Sequence, residues 1–383
     1  MTVDPILFFH CVDADNLNAQ SNNTKAILSR WDAAGLAAAA FHFRDPEPAV
    51  AANPNVSLIR LPPNRLWKAR ALAAGLGRFS AVVFPGFAAQ LDDQVRRSRG
   101  ALGRGGAVIS TLEGLPTSSE RFVEEEARLS DMAGHPVFCQ RVDPGSMAAL
   151  NRTKGNSDLI IGISPFLASM ATKIWPGPQT ANIPLGVDLQ VFNPKGRIKH
   201  AKKHQVHVVC AGSFQVRKRP EIFLELARRH QHAEFTWFGE GEMRGPLLEQ
   251  ARSETLPNIS FPGSAAPKTL AEAFRSADIF ALPSISEGVP KVTQEAAACG
   301  LPVICMNYFE ALSVVDGVNG FQARDDAEFY SRIESLIEDA DLRRRMGASS
   351  AEMAREWNWT TLAKTWQDQI RTAALDFQKK DNK

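Results

Sequence analysis

Residues 282–304 read LPSISEGVPKVTQEAAACGLPVI, and most of the fold can be worked out from them. The apolar run at 279–282 has the length of a buried strand. Residues 283–288, rich in Ser, Pro and Gly, form a loop. Pro290 stands where a helix accepts proline in its first turn, so residues 290–299 are helical and residues 302–305 begin the next strand. A strand–loop–helix–strand unit of this kind implies a parallel sheet. Glu287 lies just before the helix, where backbone N–H groups and the helix dipole meet anions. Glu295 lies about one and a half turns into the helix. The two carboxylates can therefore touch different parts of one extended ligand, one accepting from sugar hydroxyls and the other from a ribose diol. Taken singly, Glu287 reads more readily as a solvated loop acid and Glu295 as a helix surface acid.

Outward from this segment the same alternation continues. In the second half, strands are expected at 206–210, 234–238, 259–261, 279–282 and 302–305, with a turn at 320–322 leading into the last strand. Helices are expected at 220–230, 243–253, 268–276, 290–299, 327–340, 341–356 and 359–375, and the last residues, QKKDNK, should fray. In the first half, strands are expected at 6–9, 37–43, 56–60, 80–84, 107–110, 137–140 and 157–163. Helices there are expected at 22–34 and 66–76, with another starting at Pro165. The fold class is α/β, with two Rossmann-like domains whose parallel sheets face each other across a cleft. The Lys- and His-rich stretch 195–204 is the link. The expected division is a first Rossmann-like domain at 1–195, a second at 196–360, and a C-terminal helix with its tail at 361–383.

Composition narrows the function. The chain has 383 residues, 44% hydrophobic and 22% charged, which is globular. A net charge of +2 argues against a broad nucleic-acid surface. Five scattered cysteines without a CxxC pair suit buried thiols in a reducing compartment, not zinc. No uncharged apolar stretch reaches the ~20 residues of a membrane span, and the start is not a signal peptide. The expected location is the cytoplasm, with contact at the inner membrane face left open. The relevant basic stretches are Arg65, Lys68 and Arg70 beside Leu66 and Trp67, and Arg96, Arg97, Arg99 and Arg104. They fit either solvated helix faces or an anionic lipid surface. Asp92-Asp93 opens a charged, helix-like stretch and is not a metal motif. Monomer and homodimer are both compatible with the sequence.

Ligands in open parallel sheets bind beyond the carboxyl ends of the strands. Gly212, Lys218, Gly239, Gly241, Gly263, Ser284, Glu287 and Gly288 all follow strands of the second half. Here the sequence resembles a known family. Residues 282–304 resemble the signature of the GT-B fold retaining glycosyltransferases of family four, a glutamate followed after seven residues by another, with Gly288, Ala296, Ala298, Gly300, Pro302 and Val303 in matching places. VCAGSFQVRKRPEIFLELA (209–227) resembles the family's glycine-to-lysine segment, FGEGEM (238–243) its G-x-G turn, and IPLGVDLQVFNP (183–194) its exit from the first domain.

The resemblance implies that Glu287 faces the donor sugar and Glu295 holds the ribose. Ser286, Gly288 and Val289 belong to a loop presenting N–H groups to the diphosphate, and Lys218 neutralises that diphosphate. Gly212, Ser213, Gly239, Gly241 and Gly263 complete the donor side. Ser213 replaces the family's arginine, and Arg217 is the candidate for its charge. Glu113, in VISTLEGLPTS, stands where the family has a histidine; it could orient the acceptor hydroxyl or serve as a base.

The activity implied is metal-independent, retaining transfer of a sugar from a UDP, GDP or ADP donor to a glycan, lipid-linked or small-molecule hydroxyl, with no tightly bound cofactor. Cell-envelope or exopolysaccharide assembly would be its setting. A nonenzymatic sugar-nucleotide or glycan binding protein and a nucleotide-sugar epimerase are the alternatives. Two further segments carry weaker readings. The Asp and Asn residues before position 24 could cap a helix or meet an acceptor, and Phe84-Pro85-Gly86-Phe87 could wall an apolar acceptor site.

Overall fold

The computed structural model describes residues 4–381 apart from 17, 18, 33, 34, 65, 87, 88, 104, 135, 136, 138 and 197–204. Arg65, Phe87, Arg104 and most of the 195–204 link therefore lie outside the described residues. The chain forms two compact units: residues 1–133, 139–186 and 359–383, and residues 134–138 with 187–358.

The strands of the first unit are β1 (Ile6–Cys11), β2 (Ala38–His42), β3 (Val56–Arg60), β4 (Ala81–Phe84), β5 (Ala107–Leu112), β6 (Leu115–Ser118), β7 (Cys139–Val142), β8 (Leu159–Gly162) and β9 (Gln179–Asn182). Seven of them make one sheet in the order β3-β2-β1-β4-β5-β8-β9, and every pair is parallel. The central strands are buried on both faces, so their sequences are continuous apolar runs. Alternate residues Leu7, Phe9, Ala39, Phe41, Val82 and Phe84 share one core layer. The alanines of β2 lower its intrinsic strand preference, but burial between β1 and β3 fixes it as a strand.

Several expectations are corrected here. The strand expected at 137–140 is β7, Cys139–Val142, and it does not join the main sheet: it pairs with β6, a strand not expected from the sequence. The first helix is Ala19–Leu28, so Asn22 and Asn23 lie inside it and do not cap it. The last helix, Trp359–Asp381, runs beyond position 375 because its far end is anchored to the first unit: Gln378 donates to the Ser80 hydroxyl at 3.2 Å. Trp366 donates to the Pro184 carbonyl, and Arg371 pairs with Asp32 at 2.8 Å. The units divide between Gly186 and Val187, ahead of 195/196. The intervening residues pack on the second unit, with Arg275 donating to the Val191 carbonyl and Phe192 against Phe274.

The second unit contains β10 (Val206–Ala211), β11 (Ala233–Phe238), β12 (Ile259–Gly263), β13 (Ile279–Leu282), β14 (Val303–Met306) and β15 (Gly320–Ala323). They form a parallel sheet in the order β12-β11-β10-β13-β14-β15. The chain runs outward from β10 to β12 on one side and from β13 to β15 on the other, so the crevice between the ends of β10 and β13 is the switch point where such sheets take ligands. Phe214, in the loop after β10, is fully buried against Trp237 and Phe261, and Trp237 donates its indole N–H to the Gly212 carbonyl at 2.9 Å. This aromatic anchor holds the loop that carries Lys218.

Two glycines let the strand ends close up. A Cβ on Gly239 would lie 2.0 Å from the Gly212 carbonyl oxygen, and one on Gly241 2.6 Å from the Phe214 carbonyl oxygen; their φ values are 143° and 151°. Both therefore need glycine. Gly239→Ala should cost roughly 3 kcal/mol, since it adds a backbone clash to an unfavourable φ. Gly245, helical and with nothing within 4 Å of an added Cβ, should gain about 0.5 kcal/mol as alanine. Urea denaturation of the two variants checks the contrast.

Candidate active site

The loop after β10 ends in a single 3-10 turn, Val216–Lys218, and Arg219 follows in the left-handed region at φ 57°. Such a conformation is uncommon for a non-glycine residue. Arg219 is held there by paired hydrogen bonds to the Asp326 carboxylate, one of them 2.7 Å. The turn directs Arg217 and Lys218 toward the loop after β13. There the Ile285 N–H donates to the Arg217 carbonyl at 2.9 Å, and the Arg217 guanidinium donates to the Ser286 carbonyl at 3.0 Å.

These contacts bring the sequence candidates together. Lys218 Nζ is in direct hydrogen-bonded contact with Glu287 Oε1, and Arg217 Nη1 lies 3.2 Å from Glu287 Oε2. The three side chains are 10%, 24% and 8% exposed for Lys218, Arg217 and Glu287. Burial alone would raise the Glu287 carboxyl, but Lys218 and then Arg217 outweigh it and hold it below the usual carboxylate range. The cluster is thus two cations on one ionised carboxylate, a net single positive charge at the switch point.

Glu295 is on the helix Lys291–Ala298, whose start is tied by Thr293 donating to the Pro290 carbonyl at 2.6 Å. Glu295 is half-buried. Burial raises its carboxyl above the ordinary value, with Lys291 one turn earlier opposing. Ser286 is buried, and Gly288 and Val289 are half-buried in the same loop. Gly212, Ser213, Gly239, Gly241 and Gly263 ring the ends of β10, β11 and β12. Gly239 and Gly241 already have a cause in backbone packing, independent of any ligand. The Gly239 N–H donates to the Gly263 carbonyl at 2.9 Å.

Glu113 lies elsewhere, in the first unit just past β5. It accepts from Asn23 Nδ2 at 3.2 Å and lines a cavity of about 20 Å³ with His10, Thr24 and Trp366, room for roughly one water. His10 Nδ1 is 2.8 Å from the Thr24 hydroxyl, and burial, then Lys25, lowers its pKa to about 4, so it is neutral. Sequence reasoning missed Lys154. It is buried behind this site, donates to the Thr111 carbonyl at 2.7 Å, and is brought down to about 8 by burial despite Asp92 and Glu113. In LNRTKG it has the pattern of a solvated helix end, so only the packing could reveal it.

Arg96, Arg97 and Arg99 of the basic stretch are not a free face. Arg96, Arg97 and Arg152 pair with buried Asp93, and buried Arg99 donates to the Gly75, Gly77, Phe79 and Gly105 carbonyls. By contrast, Leu66, Lys68 and Arg70 are exposed. The five cysteines are free thiols, four of them buried. Among the described residues no group of three or more His, Cys, Asp or Glu side chains is placed to hold a metal, and no helix is long and apolar enough to cross a membrane.

Comparison with known proteins gives the site a context. Residues 205–339 match the model of the family described as Glycosyl transferases group 1, and the match spans Arg217, Lys218, Glu287 and Glu295. The chain resembles that family, as residues 282–304 imply. A D-inositol 3-phosphate glycosyltransferase from Paenarthrobacter aurescens (strain TC1) is 29% identical over 209 residues, covering 50% of this chain and 51% of that one. The chain spans about half the length of the curated relatives it matches. Sucrose-phosphate synthase from Thermosynechococcus elongatus has a TM-score of 0.75 at 19% identity, covering 96% of this chain and 98% of its own. HepE from Anabaena, in complex with UDP-glucose, has a TM-score of 0.72 at 16% identity, covering 97% and 100%. At these identities the structural likeness is one of fold.

Glu287→Gln should leave two shielded cations without their carboxylate and destabilise the protein by roughly 3 kcal/mol, the low end for a buried pair. Adding Lys218→Met should recover part of the loss in a double-mutant cycle read by urea denaturation. Because the folded pKa of Glu287 is depressed, its contribution is present above the unfolded value of about 4.3 and is lost as pH falls through the folded one.

Proposed function

We propose that the chain is a retaining glycosyltransferase that takes a sugar from a nucleoside diphosphate donor and passes it to a hydroxyl acceptor. The observation that carries this reading is the Arg217–Lys218–Glu287 cluster at the switch point of a parallel sheet, inside the segment that matches the family model. A net positive charge held in a fixed, partly shielded place suits a diphosphate, whose negative charge grows as the sugar leaves.

In this reading Lys218 and Arg217 take the diphosphate, and Glu287 turns one oxygen to a sugar hydroxyl while its ion pairs keep it ionised. Glu295 accepts from the ribose diol, and the N–H groups of residues 286–289 complete the phosphate contacts. The bond from the anomeric carbon to the phosphate oxygen breaks while the acceptor oxygen attacks from the same face. The acceptor proton passes to the departing phosphate oxygen. These side chains align the partners and stabilise the leaving group, so no second catalytic carboxylate is needed. Glu113 and neutral His10 belong to the acceptor side. UDP is the first nucleotide to test, because the similar fold of HepE is known with UDP-glucose. Exposed Leu66, Lys68 and Arg70 support contact with an anionic membrane face.

The test is release of nucleoside diphosphate from UDP-, GDP- and ADP-glucose without added metal. Lys218→Met should lower kcat/KM roughly 10²-fold through loss of one leaving-group contact. Binding without release in the presence of any acceptor would instead favour a sugar-nucleotide binding protein, and an isomerised sugar an epimerase.

The donor's affinity should also depend on pH in a particular direction. A ribose diol prefers the ionised form of Glu295, and burial makes that form costly. Affinity should therefore weaken as pH falls through the raised Glu295 pKa, above the ordinary carboxylate value of about 4.3. Calorimetric titration of UDP at several pH values should show this slope in wild type and lose it in Glu295→Gln.

A further inference from the structure

At the carboxyl ends of β1, β2 and β4 the first unit opens into a cavity of about 500 Å³, the size range of small-molecule sites. Its walls are aromatic and aliphatic: Phe9, Phe41, Phe43, Leu61 and Trp67. Phe9 meets Phe41 edge-to-face at 5.2 Å, and Phe43 meets Trp67 edge-to-face at 5.6 Å, so ring edges and faces are already fixed along the cavity. Phe43 and Trp67 are half-buried, while Phe9, Phe41 and Leu61 are buried.

The polar groups are gathered at particular places. His10 and Pro85 line both this cavity and the small one that holds Glu113, so the aromatic chamber and the Glu113 site share a wall. Asp143 and Ser146, at the start of the helix Pro144–Gly155, stand at another side. Among the described residues lining the cavity, none is Lys or Arg. A phosphate group placed there would meet the Asp143 carboxylate and, among the described lining residues, no Lys or Arg.

We propose that this cavity receives the apolar, ring-bearing body of the acceptor, and that the acceptor is an uncharged aryl or polycyclic alcohol whose hydroxyl lies at the His10 and Glu113 end. The assignment rests on the glycosyltransferase reading above. It sets this chain apart from the inositol 3-phosphate enzymes it resembles, because a phosphorylated polyol would bring anionic charge into an aromatic chamber. In the reaction the acceptor O–H bond breaks, its oxygen bonds to the anomeric carbon, and its proton passes to the leaving phosphate oxygen.

The experiment uses 2-naphthol as the probe on the full chain, with inositol 3-phosphate as the charged comparison. Binding is read by ligand-observed NMR without donor, in wild type, in Leu91→Trp, which adds bulk at another lining residue, and in Trp67→Ala, which removes one wall. Thermal melts report whether each variant is folded. Transfer from UDP-, GDP- and ADP-glucose to each acceptor is measured separately on wild type. The expected result is that 2-naphthol binds wild type, that both folded variants bind it at least about tenfold more weakly, and that it is glycosylated in preference to inositol 3-phosphate. Failure of 2-naphthol to bind wild type overturns the proposal, as does equal binding by both variants. Transfer to inositol 3-phosphate alone overturns it while the glycosyltransferase reading stands. Naphthol binding that both variants weaken, with no turnover of any donor, overturns the glycosyltransferase reading and with it the acceptor role, and leaves a chamber for apolar rings.

Discussion

Lys218, Arg217 and Glu287 hold one another in a place from which water is largely excluded, and much of the second unit serves to bring them there. Two loops from neighbouring strands must approach closely enough for a lysine to touch a glutamate 69 residues later. Phe214 buried against Trp237 and Phe261 fixes one loop, and the Ile285 to Arg217 backbone bond fixes the other. The glycines after β11 are part of the same arrangement, since any side chain on them would push the β10 loop away. The cluster is costly to desolvate and its members compensate each other, so its geometry is far more constrained than a surface ion pair would be.

The first unit has the opposite chemistry at its strand ends. Three of its buried ionisable groups are pushed by burial toward their uncharged forms: His10 and Lys154 are lowered and Asp92 is raised. Along the ends of β1 and β2 the cavity is lined by Phe9, Phe41 and Phe43 together with His10 and Cys11. One sheet therefore ends in a cationic cluster that suits a phosphate, and the other in an apolar chamber lined by rings.

The parts of this picture that could be read in the sequence are those carried by local pattern. The strands at 206–211 and 279–282 are nearly continuous apolar runs, as strands buried on both faces are, and 233–238 alternates apolar with polar residues, as a half-buried strand does. Glu287 and Glu295 stood out because their segment combines a strand, a loop and a helix start. The pairing of Glu287 with Lys218 was not legible, since the residue types suggested separate ligand contacts and only tertiary packing joins them. Leu115–Ser118 and Gln179–Asn182 escaped notice because LPTS and QTAN lack the apolar alternation of a strand; their neighbours impose the conformation. The arginines near 96–99 looked solvated because charge in a sequence carries no record of burial. Arg99 in fact spends its donors on four backbone carbonyls.

The return of the last helix to the first unit also bears on how the chain is made. Residues 359–381 complete the first unit, although the whole of 187–358 separates them from its sheet. During synthesis the ribosome releases every residue of the second sheet before it releases Trp366, Gln367 or Arg371, which bind Pro184, Arg30 and Asp32. The usual order, in which the N-terminal domain is finished first, is thereby reversed. The unit that begins the chain is the last to have all of its parts, and until then the groups that the final helix will cover stay open to solvent and to chaperones.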